Sequence, residues 1–423
     1  MAQEVARVPS GAVGDGLPPR RPGTFSSLQY RDFRFLWQGQ IGAAASQWME
    51  NVARPFLILE MTDSAFLVGL VAATRMVPML FLGIWAGVLA DRMDKKRILQ
   101  ITQTVTFLTH AVTAALILTD VIEPWMVFVG TFTGGASQAF NQPARVSLIP
   151  RMVPKENVTN AIALTSAAFN TMRTLGPALA ALILAFLTFG DLYVLQALML
   201  LWVLWSTSQI QVSTRETRLR TTSMRAELVE GFKAVKQDKP VLYILALSLV
   251  IFVWGMPFQG VFIPLIGKKE LGLSTSEASL LISVVGLGAL GGSLVIATIG
   301  DRIQRRGLVM LGIIATFSLA LLVFANAHSL FLVVPALALT GAMQVSFMSL
   351  NNAFVLGRTP QELHGRVLSL FHLDRGLVPA GATLGGFLAA TLDPAAAQTI
   401  MAAVCLGCAA AMALAFPALR NIS

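Results

Sequence analysis

The chain has 423 residues, of which 55% are hydrophobic and only 13% charged, and its mean hydropathy is +0.69. A soluble globular chain carries about a quarter charged residues, so this composition excludes one and describes a chain solvated by lipid. The formal charge of +9 would suit a nucleic-acid binder, but the placement of the basic residues removes that support.

Residues 1–34 are polar and rich in Gly, Pro and Arg, the composition of a disordered tail. The first apolar run is long and lacks a small-residue cleavage site after a short hydrophobic stretch, so it does not read as a secretory signal. A helix needs about 20 apolar residues to cross about 30 Å of hydrocarbon. Twelve runs approach that: 35–59, 66–90, 98–119, 125–141, 159–187, 191–209, 240–266, 275–300, 307–327, 329–352, 365–391 and 394–417. The expected fold is therefore all-α and integral to the membrane, with an even number of spans and both termini on one side.

Lys and Arg decide which side. They concentrate in the two tails and in the loops after even-numbered spans, while the opposite loops hold only Lys268 and Lys269. By the positive-inside rule both ends are cytoplasmic, and the basic excess faces anionic inner-leaflet lipid rather than nucleic acid. The expected location is the plasma (inner) membrane. The longest loop, 210–239, carries Leu228, Phe232 and Val235 at helical spacing among charges, as a short helix lying on the leaflet would. Cys405 and Cys408 lie in the last apolar run without a second pair or a histidine nearby, so they read as small lipid-buried residues rather than a redox or zinc site.

The chain repeats itself. Gly87-Val-Leu-Ala-Asp91-Arg92-Met-Asp94-Lys95-Lys96-Arg97 is a charged turn between two apolar runs, and Gly300-Asp301-Arg302 with Arg305-Arg306 is a degenerate copy. Thr133-Gly134 with Gln138 returns as Thr340-Gly341 with Gln344, and Arg173 before Pro177 returns as Arg375 before Pro379. The common order of these matches predicts two pseudo-symmetric six-helix bundles, 35–209 and 240–417, joined by 210–239, with a short tail at 418–423.

Gly87, Asp91-Arg92 and Lys96-Arg97 together resemble the loop 2–3 signature of the major facilitator superfamily, with Asp94 standing where that signature usually has glycine. Tyr30 to Trp37, Asn141 to Pro150 and Glu362 to Val367 resemble the branch of macrolide-efflux and enterobactin-exporter proteins, related to drug:proton antiporters. That resemblance implies a secondary transporter, export as its direction and a proton gradient as its energy source, with no cofactor and a monomer as the working unit. It also implies that span 2 packs beside span 11, and that Asp91 caps the cytoplasmic start of span 11 near Gly365-Arg366. Asp301 would do the same for span 5, with Arg302 beside it, while Arg92 and Arg97 would anchor to carboxylates or phosphates. The whole is expected to act as a gate. Gly176-Pro177 and Pro379-Ala-Gly381 resemble the antiporter Gly-Pro element, although Ala178 and Ala180 replace its trailing glycines.

Charges inside spans are expensive and each is a functional hypothesis. Span 1 holds Gln40, Gln47, Glu50, Asn51 and Arg54 within an arc of roughly 100°, an arc that should face a water-filled cavity; the bland alternative is an i,i+4 ion pair that locks packing. At 1.5 Å per residue Glu50 and Arg75 both sit about 13 Å deep, and Arg173, Asp374 and Arg375 count to similar depth. An Arg75–Asp374 pair across the halves is one expectation. Two buried carboxylates against four arginines leave the midplane positive, since arginine keeps its proton. Such a midplane favours neutral or anionic amphiphiles such as catecholate siderophores over cationic drugs. Glu50 and Asp374 are the candidate coupling carboxylates, Glu50 first because it lies on the polar arc. His110 and His372 read as packing residues. Trp254 to Gln259, with Pro257, should bend span 7. No phosphate loop, HExxH or nucleophile elbow occurs. The rival readings are a facilitator for a lysolipid or metabolite, and a receptor or assembly subunit that keeps the fold without turnover.

Overall fold

The computed structural model describes residues 23–82, 93–212, 239–358 and 375–417. Its order is helical, and no strand occurs among the described residues. In chain order the long segments are α1 (Arg31–Thr62), α2 (Ala65–Leu82), α3 (Lys95–Leu118), α4 (Pro124–Met152), α5 (Val158–Phe186) and α6 (Phe189–Ser208). They continue as α7 (Lys239–Lys269), α8 (Thr275–Ile299), α9 (Arg306–Asn326), α10 (Leu330–Arg358), α11 (Val378–Thr391) and α12 (Pro394–Ala415). Nine candidate membrane helices, counted among the described residues, combine sufficient length and apolarity. The other three are α1 and α4, which are as long but more polar, and α11, which is described over 14 residues.

Each helix start leaves backbone N–H groups without intrahelical partners, and hydrocarbon supplies no water for them. Short polar side chains fill that need. Ser64, Asp94 and Asp393 accept a backbone N–H at the starts of α2, α3 and α12. Thr188 with Asp191, and Ser274 with Glu277, close capping boxes at α6 and α8. Asp94, which replaces the glycine of the turn signature, is thus the N-cap of α3.

Span 7, expected to bend, carries two π-helical stretches, Ile251–Gly255 and Phe258–Phe262, on either side of Met256-Pro257. Pro257 has no N–H to donate, and widening the turn accommodates its ring. Phe258 is fully buried and stacks edge-on against Phe317 at 5.9 Å, so it belongs to the core rather than to a cavity wall.

Two expected boundaries shift. Residues 23–34 are ordered instead of belonging to a disordered tail: Ser26–Gln29 forms a 3-10 turn and α1 begins at Arg31. The cause is specific anchoring, since the Ser27 hydroxyl donates to Asn160 Oδ1 at 2.7 Å and Phe33 is fully buried against the inner end of the bundle. α4 does not stop near 141 but runs to Met152 through Pro143 and Pro150. It continues because Asn141 donates to Thr102 Oγ1 at 2.8 Å, and Arg145, 2% exposed, donates to the Leu36 carbonyl at 3.4 Å. The amphipathic stretch around Leu228, Phe232 and Val235 lies outside the described residues, as do residues 1–22, most of the turn after α2 and the segment 359–374.

Helix contacts follow one rule. In the first half α1 packs on α5 and α6, α3 on α4 and α6, and α2 on α4. Adding six to every label gives the second half's contacts: α7 on α11 and α12, α9 on α10 and α12, and α8 on α10. Across the halves α2 packs on α11 and α5 on α8, and the same operation exchanges those two seams. The seam between α2 and α11 is the span 2 to span 11 contact implied by the sequence resemblance. Its helices meet backbone to backbone: a Cβ on Gly69 would stand 2.5 Å from the Ala382 carbonyl oxygen, and one on Gly386 2.8 Å from the Gly69 Cα.

The repeat is also visible in a pair of glycines. A Cβ on Gly135 of α4 would lie 2.0 Å from the Arg75 carbonyl oxygen of α2, and one on Gly341 of α10 would lie 2.0 Å from the Val285 carbonyl oxygen of α8. No side chain fits at either place. Gly135→Leu and Gly341→Leu are therefore each expected to lower the thermal unfolding midpoint of detergent-purified protein by several degrees, the effect of about 1–3 kcal/mol of overpacking. Gly407→Leu, with nothing within 4 Å of its Cβ position, should leave the midpoint unchanged.

Candidate functional site

The residues of the polar arc on α1 divide between two environments. Gln47 and Asn51 keep part of their surface, whereas Glu50 and Arg54 are each 4% exposed. Glu50 does not open onto water in this conformation. Its carboxylate pairs with Arg54 one turn along α1, with Arg75 Nη1 of α2 at 3.2 Å and with His110 Nε2 of α3 at 3.1 Å. Gly134 of α4 leaves the room this needs, since a Cβ there would stand 3.1 Å from Arg54 Nη2. The Tyr193 phenol of α6 lies beside Arg54, and its ring meets His110 edge-on at 5.6 Å. Five helices of the first half thus surround one carboxylate.

Burial explains the density of partners. An ionised carboxylate in a low-dielectric interior costs several kcal/mol unless it is both paired and hydrogen-bonded. One anion faces two permanent cations, so the cluster carries excess positive charge while Glu50 is ionised and His110 neutral. His110 Nδ1 approaches Ser46 Oγ at 3.5 Å, leaving Nε2 to carry the contact with Glu50.

The i,i+4 pairing of Glu50 with Arg54 was legible in the sequence. Arg75 is joined to Glu50 within its own half, while its expected partner, Asp374, lies outside the described residues. His110, expected as a packing residue, is buried and also brings its Nε2 to 3.1 Å from the central carboxylate. The signal that could have found it is its presence in a span as an ionisable group. Tyr193 had no signal beyond rarity, as one of three tyrosines.

Arg173 of α5 stands apart from this cluster. It donates to Gln344 Oε1 of α10, across the halves, and its guanidinium carbon lies 5.6 Å from the Trp48 ring centre of α1. Gln344 in turn donates toward Met256 Sδ of α7 at 2.8 Å. Gly176, one turn beyond Arg173, lets α5 reach α1 at Trp48: a Cβ there would be 2.6 Å from Trp48 Cβ. A largely apolar cleft of about 570 Å³ separately follows the α2–α11 seam, lined by Leu70, Val77, Pro379 and Leu384 among others.

The gating set is only partly described. Gly87, Asp91, Arg92, Gly365 and Arg366 lie outside the described residues, as do the side chains of Asp301 and Arg375. Arg97 and Arg302 are exposed. The anchor that sequence reasoning missed is Lys96, whose ammonium donates to the Ser208 and Ile210 carbonyls at 2.8 and 2.6 Å, at the C-terminal end of α6. At the opposite end of the molecule Lys268 and Thr275 converge on Glu60, and Lys269 pairs with Asp63 at 2.8 Å. Those contacts tie α1 to α7 and α8. Among the described residues no group of His, Cys, Asp and Glu could hold a metal ion.

Residues 22–423 match the sequence model of a family described as transmembrane secretion effectors. The Staphyloferrin A transporter of Staphylococcus aureus is 25% identical over 349 residues, covering 80% of this chain and 84% of that protein. Macrolide efflux protein A of Streptococcus pyogenes is 23% identical over 346 residues, covering 80% and 84%. Among solved structures, the nucleoside transporter NupG superposes with a TM-score of 0.72 at 16% identity, covering 92% of this chain and 98% of that one, a likeness of fold.

Removing the anion should be the costliest single change in the buried cluster. Glu50→Ala strands two arginines and is expected to cost about 3–5 kcal/mol, read as a lowered unfolding midpoint. Arg75→Ala leaves Glu50 its Arg54 partner and should cost clearly less. Lys269→Ala, whose partner Asp63 is 85% exposed, should change the midpoint little.

Proposed function

Because the chain belongs to the transmembrane secretion effector family of the major facilitator superfamily, we propose that it is a proton-coupled exporter of neutral or anionic amphipathic small molecules. It works by alternating access. Relatives named for staphyloferrin A and for macrolide efflux support the direction and the class. We assign it twelve spans in two pseudo-symmetric bundles, 35–209 and 240–417. The contact rule and the paired glycines Gly135 and Gly341 support that assignment. Both termini face the cytoplasm, the basic loops rest on anionic lipid of the inner membrane, and the protein acts as a monomer without a cofactor.

The observation that carries the coupling mechanism is the Glu50 carboxylate held by Arg54, Arg75 and His110 inside the first half. Protonating Glu50 removes the anion that both arginines share. Arg75 sits where the regular turn of α2 is interrupted, at residues 75–76, and α2 is the helix that meets α11 through Gly69 and Gly386. Releasing Arg75 therefore loosens a helix that forms one of the two seams. A proton arriving at Glu50 is converted into a change at the boundary of the halves. The contacts of Lys268, Thr275 and Lys269 with Glu60 and Asp63 close the outer ends of the same halves and must part when the solute leaves.

Substrate class follows from charge. Arg173 lacks a carboxylate partner among the described residues, and the Glu50 cluster has one anion for two arginines. That balance repels cations and accepts anions or neutral molecules. Inverted membrane vesicles test the whole reading. Uptake of anionic and neutral amphiphiles should rise when a proton gradient is imposed and collapse with an uncoupler. Glu50→Gln, verified as folded by its unfolding midpoint, should abolish gradient-driven accumulation while allowing solute exchange down its own gradient. Accumulation that ignores the gradient in wild-type vesicles sinks the coupling; efficient export of lipophilic cations with anions ignored sinks the substrate class.

A further inference from the structure

We propose that Arg173, with the indole of Trp48, is the docking point for a carboxylate on the transported solute, and that docking displaces Gln344 and unties α5 from α10. This rests on the exporter reading above and specifies how its substrate is recognised.

Two buried donors at this place lack an acceptor: neither Arg173 Nε nor Trp48 Nε1 makes a hydrogen bond among the described residues. Buried polar groups are nearly always paired, and an orphan asks for an explanation. Both orphans are donors, so the missing partner is an acceptor. The guanidinium has no carboxylate partner among the described residues and is met only by a neutral amide, Gln344. A carboxylate, binding the planar fork through charge-assisted hydrogen bonds roughly twice as strong as neutral ones, outcompetes that amide.

The surroundings select the rest of the ligand. Trp48 carries Arg173 over its ring and packs against Phe169 with ring centres 5.9 Å apart and planes at 61°, an aromatic wall for an apolar or ring-bearing body. Arg173 and Trp48 each keep part of their surface uncovered, whereas Gln344 is 4% exposed. A ligand therefore approaches the cation first, and the amide is what yields. Freed from Arg173, Gln344 keeps its contact with Met256 beside the π-helical turns of α7. Occupancy would thus be registered in the second half. Arg54 and Arg75 are poorer anchors, since Glu50 already occupies both.

The test is equilibrium binding to the full chain in lipid nanodiscs with three radiolabelled probes of one ring system: 2-naphthoate, 2-naphthylmethanol and 2-naphthylmethylamine. No gradient is involved, so the result is independent of whether transport is proton-coupled. Wild type should prefer naphthoate over the alcohol and the amine by roughly tenfold or more, as one charge-assisted pair predicts. Arg173→Gln should erase that preference, and Arg173→Lys should restore part of it. Gln344→Leu, which removes the competing amide and keeps the guanidinium, should tighten naphthoate binding several-fold. A structural role for Arg173 would give no such opposite response. The proposal is overturned if Arg173→Gln binds naphthoate as wild type does, if the amine is preferred, or if Gln344→Leu weakens binding. Gradient-driven export that persists in Arg173→Gln with unchanged preference for anions would retire this docking point and leave the exporter reading intact.

Discussion

One carboxylate governs the first half of this protein. Glu50 is buried among five helices, and each of its partners comes at a cost that only the anion offsets. Remove its charge and two guanidinium groups remain in a poor solvent with nothing to balance them. Helices α1, α2 and α3 are thereby held in one relative arrangement by electrostatics, and α4 contributes a glycine where any side chain would crowd the pair. A site so constrained is stiff in one protonation state and strained in the other. That is the property the proposed conversion of proton movement into helix movement requires.

What could be foreseen was local, and what could not was relational. Glu50 and Arg54 share a helix and a face, so their pairing followed from periodicity alone. Arg75 had two carboxylates at its own depth, and depth does not choose between them; the choice depends on how α2 lies against α1. His110 sits between Thr109 and Ala111 in a run of apolar, Thr and Gln residues, and these surroundings say nothing about a carboxylate two helices away. The fourth apolar run ends near 141, which leaves Arg145 beyond it, between Pro143 and Pro150. In a packed membrane bundle neighbouring groups re-satisfy the backbone that proline frees, and α4 runs on. Residues 23–34 have the composition of a tail, but a few serine and asparagine side chains and one phenylalanine suffice to dock them.

The internal repeat was legible as scattered motifs and turns out to be carried most clearly by glycines that composition alone could not rank. Gly135 and Gly341 make the same approach to a neighbouring backbone in the two halves. Among the described residues the buried ion-pair cluster lies in the first half, and α7 of the second carries the π-helical stretches.

The seam between α2 and α11 has a mechanical corollary. Because Gly69 and Gly386 present bare main chain to each other, no side chains are interlocked at that crossing point. Such a contact behaves as a fulcrum. It keeps the pivot in place through close van der Waals approach, yet resists rotation weakly, so in the proposed cycle the work falls on the polar ties that join the halves rather than on the bearing between them.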